Sequence, residues 1–179
     1  MKYWPIPDSY SKKLPKSGEA GSFWEDRKDR FHCGIDIYAP RYSKVLSIED
    51  GEVIDTGIFT SPDSLHYWNT TQHIVIGLKD GGYCLYAELE DVQVSKGDFV
   101  NSGKIIGHVG QVLNKNKIGK DCPAYIQELV GKKHSSMLHF ELYKTLPADS
   151  EKYLGGNWFE KDKPEWLSDP TELLASTLD

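Results

Sequence analysis

The chain has 179 residues, 39% of them hydrophobic, which suits one domain with a real core and shows no biased tract. Its formal net charge is −6, with acids and bases interleaved as in Glu160-Lys161-Asp162-Lys163. The absence of a basic stripe disfavours nucleic acid as a partner, and no apolar run is long enough to span a bilayer.

Residues 1–30 are rich in Pro, Ser and charge around Trp4-Pro5-Ile6-Pro7 and read as an extended arm packed on the core. The first sixteen residues lack a hydrophobic signal region, so the chain as written reads as cytoplasmic, or extracytoplasmic if it is mature or truncated. From residue 31 onward, short strands alternate with turn residues. Lys44–Ile48 and Gly51–Thr56 flank Asp50-Gly51 and predict a hairpin, because Gly tolerates the positive φ of tight turns. His73–Leu78 and Tyr83–Leu89 flank Lys79-Asp80-Gly81-Gly82, the strongest hairpin signal in the sequence. Val94–Val100 and Lys104–Val109 continue the rhythm, with bends at Gly97 and Gly103. This pattern predicts a mainly β fold, an antiparallel sandwich or barrel-like core.

Three stretches break the rhythm. Phe59–Thr71, with Tyr67-Trp68, reads as a long surface loop. Residues 111–136 read as an insertion whose Pro123–Val130 predicts a short helix with Pro in its first turn. Asp169–Leu174 predicts a short terminal helix. Cys33, Cys84 and Cys122 form an odd set without CxxC spacing, which argues against a structural zinc knuckle.

Chemistry concentrates at two places. In His32-Cys33-Gly34-Ile35-Asp36, strand alternation puts His32 and Asp36 on one face, with Gly34 between them offering no side chain. In Met137-Leu138-His139-Phe140-Glu141-Leu142-Tyr143, Leu138, Phe140 and Leu142 form a core face, while Met137, His139, Glu141 and Tyr143 share the other. Two imidazoles and one carboxylate, with a position left for water, suit catalytic zinc.

These motifs resemble those of the lysostaphin- and LytM-type zinc metalloendopeptidases. His32-Cys33-Gly34-Ile35-Asp36 is similar to the family's His-x-Gly-x-Asp, and Leu138-His139-Phe140-Glu141 to the end of its His-x-His-Phe-Glu strand. Asp50-Gly51-Glu52-Val53 and Val94–Gly110 follow two further family runs in the right order. The resemblance implies an antiparallel β fold of the duplicated-hybrid-motif type, residues 31–179 as one peptidase-like domain, and one zinc ion held by His32, Asp36 and His139. It also implies peptide or peptidoglycan fragments as partners; oligomeric state is left open.

Two residues depart from the pattern. Tyr86-Ala87-Glu88 stands where the family has Tyr-x-His, and Met137 stands where it has a histidine two residues before the third ligand. In the family, those histidines act on the metal-bound water and stabilise the tetrahedral intermediate. Glu88 is the candidate replacement base, and His134, in the insertion, a candidate substitute. Tyr67 and Met137 are candidate substrate contacts. Cys84 shares a strand face with Glu88 by alternation and is expected near the site or in the core. The resulting expectation is a zinc-binding peptidase-like domain of weak or degenerate activity on peptidoglycan peptides. The alternative is a non-catalytic scaffold or binding protein.

Overall fold

The computed structural model describes residues 1–122, 126, 127, 129, 134–148 and 150–178. The fold is mainly β, with antiparallel sheets and one short terminal helix, α1 (Thr171–Ala175). The larger sheet is built on a central run of β4 (Gly51–Thr60), β5 (Thr71–Leu78), β6 (Tyr83–Val92) and β9 (Met137–Tyr143). β2 (Ile35–Tyr38) and β12 (Leu167–Ser168) pair with opposite ends of β9. β8 (Ile105–Val109) joins β6 to β3 (Lys44–Leu46), and β7 (Phe99–Val100) pairs with β4. A smaller sheet holds β1 (Phe31–His32), β11 (Asn157–Trp158) and β10 (Tyr153–Leu154) in that order.

The expected hairpin at Lys79–Gly82 connects β5 and β6, with Gly81 and Gly82 at φ +95° and +83°, values only glycine adopts cheaply. The hairpin expected at Asp50-Gly51 is absent, since β3 pairs with β8 and β4 with β5 and β7. Gly51 is needed for another reason: a Cβ there would lie 2.4 Å from the Gly77 carbonyl oxygen on β5. The loop between β4 and β5 is not wholly superficial either. Tyr67 and Trp68 are buried with Cys122 and Ile126 in a satellite cluster. The helix expected at Pro123–Val130 lies outside the described residues except at Ile126, Gln127 and Leu129.

Alternation along the central strands divides their side chains between two apolar clusters. Ile74, Tyr86, Leu138 and Phe140 enter the main core, together with Trp4 and Ile6 from the N-terminal arm. Val75, Leu85, Ala87 and Tyr143 face a second cluster with Cys33, Trp158 and Leu167. No helix among the described residues is long and apolar enough to cross a membrane.

Candidate metal centre

His32, Asp36 and His139 come together on the second face. In register across three strands, Asp36 of β2 lies opposite His139 of β9, which lies opposite Ala87 of β6. The neighbours Ile35, Ile37, Leu138 and Phe140 point into the main core, so alternation presents Asp36 and His139 on the other side. His32 reaches the same point from the smaller sheet, where it pairs with Asn157. Residues 31–36 are therefore not one strand: Cys33-Gly34 is a joint between two sheets. Gly34 makes that joint possible, because a Cβ there would lie 2.4 Å from the Phe140 carbonyl oxygen and 2.9 Å from the His139 ring. Gly34→Ala is expected to cost about 3 kcal/mol, the upper end for overpacking, because the backbone carbonyl it meets cannot easily relax. Urea unfolding checks this; an unchanged midpoint would refute the close fit.

The donor atoms form a nearly equilateral triangle. His32 Nε2 lies 3.1 Å from Asp36 Oδ1 and 3.0 Å from His139 Nδ1, and His139 Nδ1 lies 3.0 Å from Asp36 Oδ1. Four ligands at about 2.0 Å in a tetrahedron stand about 3.3 Å apart, so these separations suit zinc with modest relaxation. The opposite ring nitrogens have acceptors. His32 Nδ1 donates to the Ser22 carbonyl at 2.8 Å, and His139 Nε2 donates to Glu141 Oε1 at 2.7 Å. Those hydrogen bonds turn the remaining lone pairs toward a common point beside a carboxylate, an arrangement that calls for a cation.

The electrostatics agree. All three residues are buried. Burial works against the Asp36 carboxylate, yet His32 and the hydrogen bonds from His139 and His32 hold it well below the ordinary range. Burial also works against the His139 imidazolium, but hydrogen bonds and charge from Asp36 and Glu141 raise it to about 10. The raised value keeps a proton on His139 at neutral pH.

Sequence reading missed the support around this triangle. Glu141 is fully buried and also accepts from the Tyr153 hydroxyl at 2.7 Å. Its place on the His139 face was visible in the alternation; its role was not. The N-terminal arm closes over the site: Asp36 N donates to the Gly21 carbonyl, and His32 N to that of Glu25. Arg27, within the arm, places Nη2 3.4 Å from Asp36 Oδ2 and 3.0 Å from Glu25 Oε2. Phe59 stacks on the His139 ring at 5.8 Å between centroids. Gly156 lies against the same ring, where a Cβ would be 2.5 Å from Nε2.

The other sequence candidates occupy different positions. Glu88 has φ +63° and stands where β6 stops pairing with β9 and begins pairing with β8. A bulge there breaks the alternation. Cys84 and Tyr86 stay in the main core, so Cys84 does not share the face of Glu88, and Leu89 returns to that core. Half-buried Glu88 is left within the field of Asp36, His139 and Arg27. Burial and the Asp36 charge push its carboxyl up to about 8, against the pull of His139 and Arg27. Met137 is half-buried at the start of β9, paired with Tyr38. His134 packs its ring at a tilt on Tyr10, 3.9 Å between centroids, rather than joining the triangle. Tyr67 lies in the satellite cluster, which borders the metal centre through Trp68 and the Gly155-Gly156 turn.

The sequence profile of peptidase family M23 matches residues 30–152, a span containing all three ligand candidates. The chain belongs to this family. Its solved neighbours are lysostaphin- and LytM-type proteins. A LytM from Ruminococcus gnavus superposes with a TM-score of 0.50 at 25% identity, covering 81% of this chain and 53% of that one. Lysostaphin in solution gives 0.53 at 16% identity, with 97% and 55% covered. LytU gives 0.52 at 18%, with 93% and 86% covered. This M23 chain thus spans about half the length of the first two neighbours. No curated protein sequence matches it.

Proposed function

We propose that this M23 domain binds one zinc ion through His32, Asp36 and His139 and hydrolyses peptide bonds of bacterial peptidoglycan, with low turnover. The observation that carries the reading is the donor triangle, its outer nitrogens held by Ser22 and Glu141. Bound zinc would supply a Lewis acid and an acidified water. Glu88, half-buried and in the electrostatic field of Asp36 and His139, is the carboxylate that would take up a proton from such a water. Arg27 sets a guanidinium beside Asp36 and within reach of the Glu88 field, suited to developing negative charge. A groove of about 530 Å³ borders the site at Phe59 and Gly155 and is lined by Ile58, Leu85, Leu154 and Trp166, a size that accepts a short peptide. Turnover is low because Met137 can neither donate a hydrogen bond nor transfer a proton.

Zinc-loaded protein is expected to release peptides from cell-wall fragments. Glu88→Gln is expected to slow release at least about 100-fold while keeping its zinc. Turnover no greater than that of Asp36→Ala would overturn the peptidase reading.

Met137 also favours a second reading, a domain that holds the peptide in this groove without cleaving it. In that case zinc-loaded protein binds cell-wall peptides, and Glu88→Gln leaves binding unchanged.

A further inference from the structure

Loop 61–70 and segment 111–122 are stitched together on the flank of the sheet. Asn69 N donates to the Val112 carbonyl, Asn114 N donates to that of Tyr67, and Trp68 bridges Leu113. Beneath them lies the satellite cluster of Tyr67, Trp68, Cys122 and Ile126. At its rim, donor atoms of His66, Asp121 and Cys122 all lie within 4.8 Å of one another. His66 Nε2 is 3.8 Å from Cys122 Sγ.

We infer that His66, Asp121 and Cys122 form a second metal site, of the zinc class, which clips the two loops together. Zn–S and Zn–N bonds of about 2.3 and 2.0 Å in a tetrahedron put sulfur and nitrogen about 3.5 Å apart, close to the separation seen. Thiolate, imidazole and carboxylate together select a borderline-soft ion over calcium or magnesium. Asp121 folds its carboxylate back over Gly119, where Oδ1 lies 2.6 Å from the position a Cβ would take. Cys122 is held on both sides, its N–H donating to the Gly119 carbonyl and its own carbonyl accepting from Gln127 Nε2 at 2.7 Å. Cys122 is buried while His66 and Asp121 are exposed, which leaves an entry path and a fourth position for water. As the metal–sulfur bond forms, the thiol proton passes to solvent.

The clip bears on the M23 centre through one chain of contacts. Trp68 packs on the Gly155-Gly156 turn, where a Gly155 Cβ would lie 2.8 Å from Trp68 Cη2, and Gly156 abuts the His139 ring. Fixing the loop therefore fixes the turn that seats a ligand. The inference does not depend on hydrolysis.

Cobalt(II) titration of the reduced full chain tests it. Wild type is expected to bind two equivalents, one of them with a thiolate-to-cobalt charge-transfer band. Cys122→Ser is expected to lose that band and keep one equivalent. His66→Ala, an exposed change that leaves the core intact, is expected to weaken the band-forming site by about 10-fold or more. His32→Ala is expected to keep the band, which separates this site from the M23 centre. No charge-transfer band in wild type, or the same band affinity in His66→Ala, would overturn the clip.

Discussion

Zinc at about a hundred times its Kd is expected to raise the melting temperature of chelated Cys122→Ser protein by about 5–10 °C, and Asp36→Ala is expected to abolish the rise. Binding to the folded state alone stabilises by about 2.7 kcal/mol at that concentration. A domain of this size shifts by about 2–4 °C per kcal/mol. The Cys122→Ser background leaves the M23 centre as the responding site. pH sets a second part of the expectation. In metal-free protein His139 is protonated up to about pH 10, against an ordinary value near 6.5. Its stabilising contribution is therefore complete below about pH 6.5 and lost as pH rises toward 10. Glu88 acts in the same direction, because its carboxyl is raised to about 8 and ionising it costs the metal-free fold stability above about pH 4.5. Chelated protein is expected to melt lower at pH 9 than at pH 6. Zinc bound to His139 Nδ1 would displace that proton, so binding at neutral pH is expected to release at least about one proton per ion, with affinity rising with pH. Calorimetry in buffers of different ionisation enthalpy measures that proton; zero release would contradict the assignment of His139 Nδ1 as a ligand.

The second large effect is expected at Glu141, which touches no metal. Its buried carboxylate accepts from both His139 Nε2 and the Tyr153 hydroxyl. Glu141→Ala leaves two buried donors without an acceptor and is expected to cost about 3–5 kcal/mol. Glu141→Gln keeps one acceptor oxygen and the volume, so it is expected to fold. Its zinc affinity is expected to fall about 10–100-fold, because the amide no longer sets the tautomer and basicity of the His139 ring. Chemical denaturation reads the first effect and competition with a chromophoric chelator the second. Wild-type zinc affinity in Glu141→Gln would show that the ring needs no such partner.

Features set by period-two alternation were legible in the sequence. Leu138, Phe140 and Leu142 marked the core face of β9, and that face placed His139 and Glu141 opposite. The Lys79–Gly82 hairpin was legible because two successive positive-φ glycines allow few alternatives. Features depending on distant partners were not. Glu88 escapes alternation because β6 changes partner from β9 to β8 at that residue, and nothing in Tyr86-Ala87-Glu88 announces the bulge. Gly51 looked like a turn glycine, yet its role is contact with β5. His66 and Cys122 are 56 residues apart, so no local spacing joins them. Arg27 sat in an arm expected to pack on the core, but nothing in its sequence told which residue would meet Asp36.

Anomalous diffraction at the zinc edge, from crystals grown with zinc, tests the central claim most directly. The expected result is a peak about 2.1 Å from each of His32 Nε2, Asp36 Oδ1 and His139 Nδ1. No density among these three atoms, even with a peak at Cys122, would contradict it.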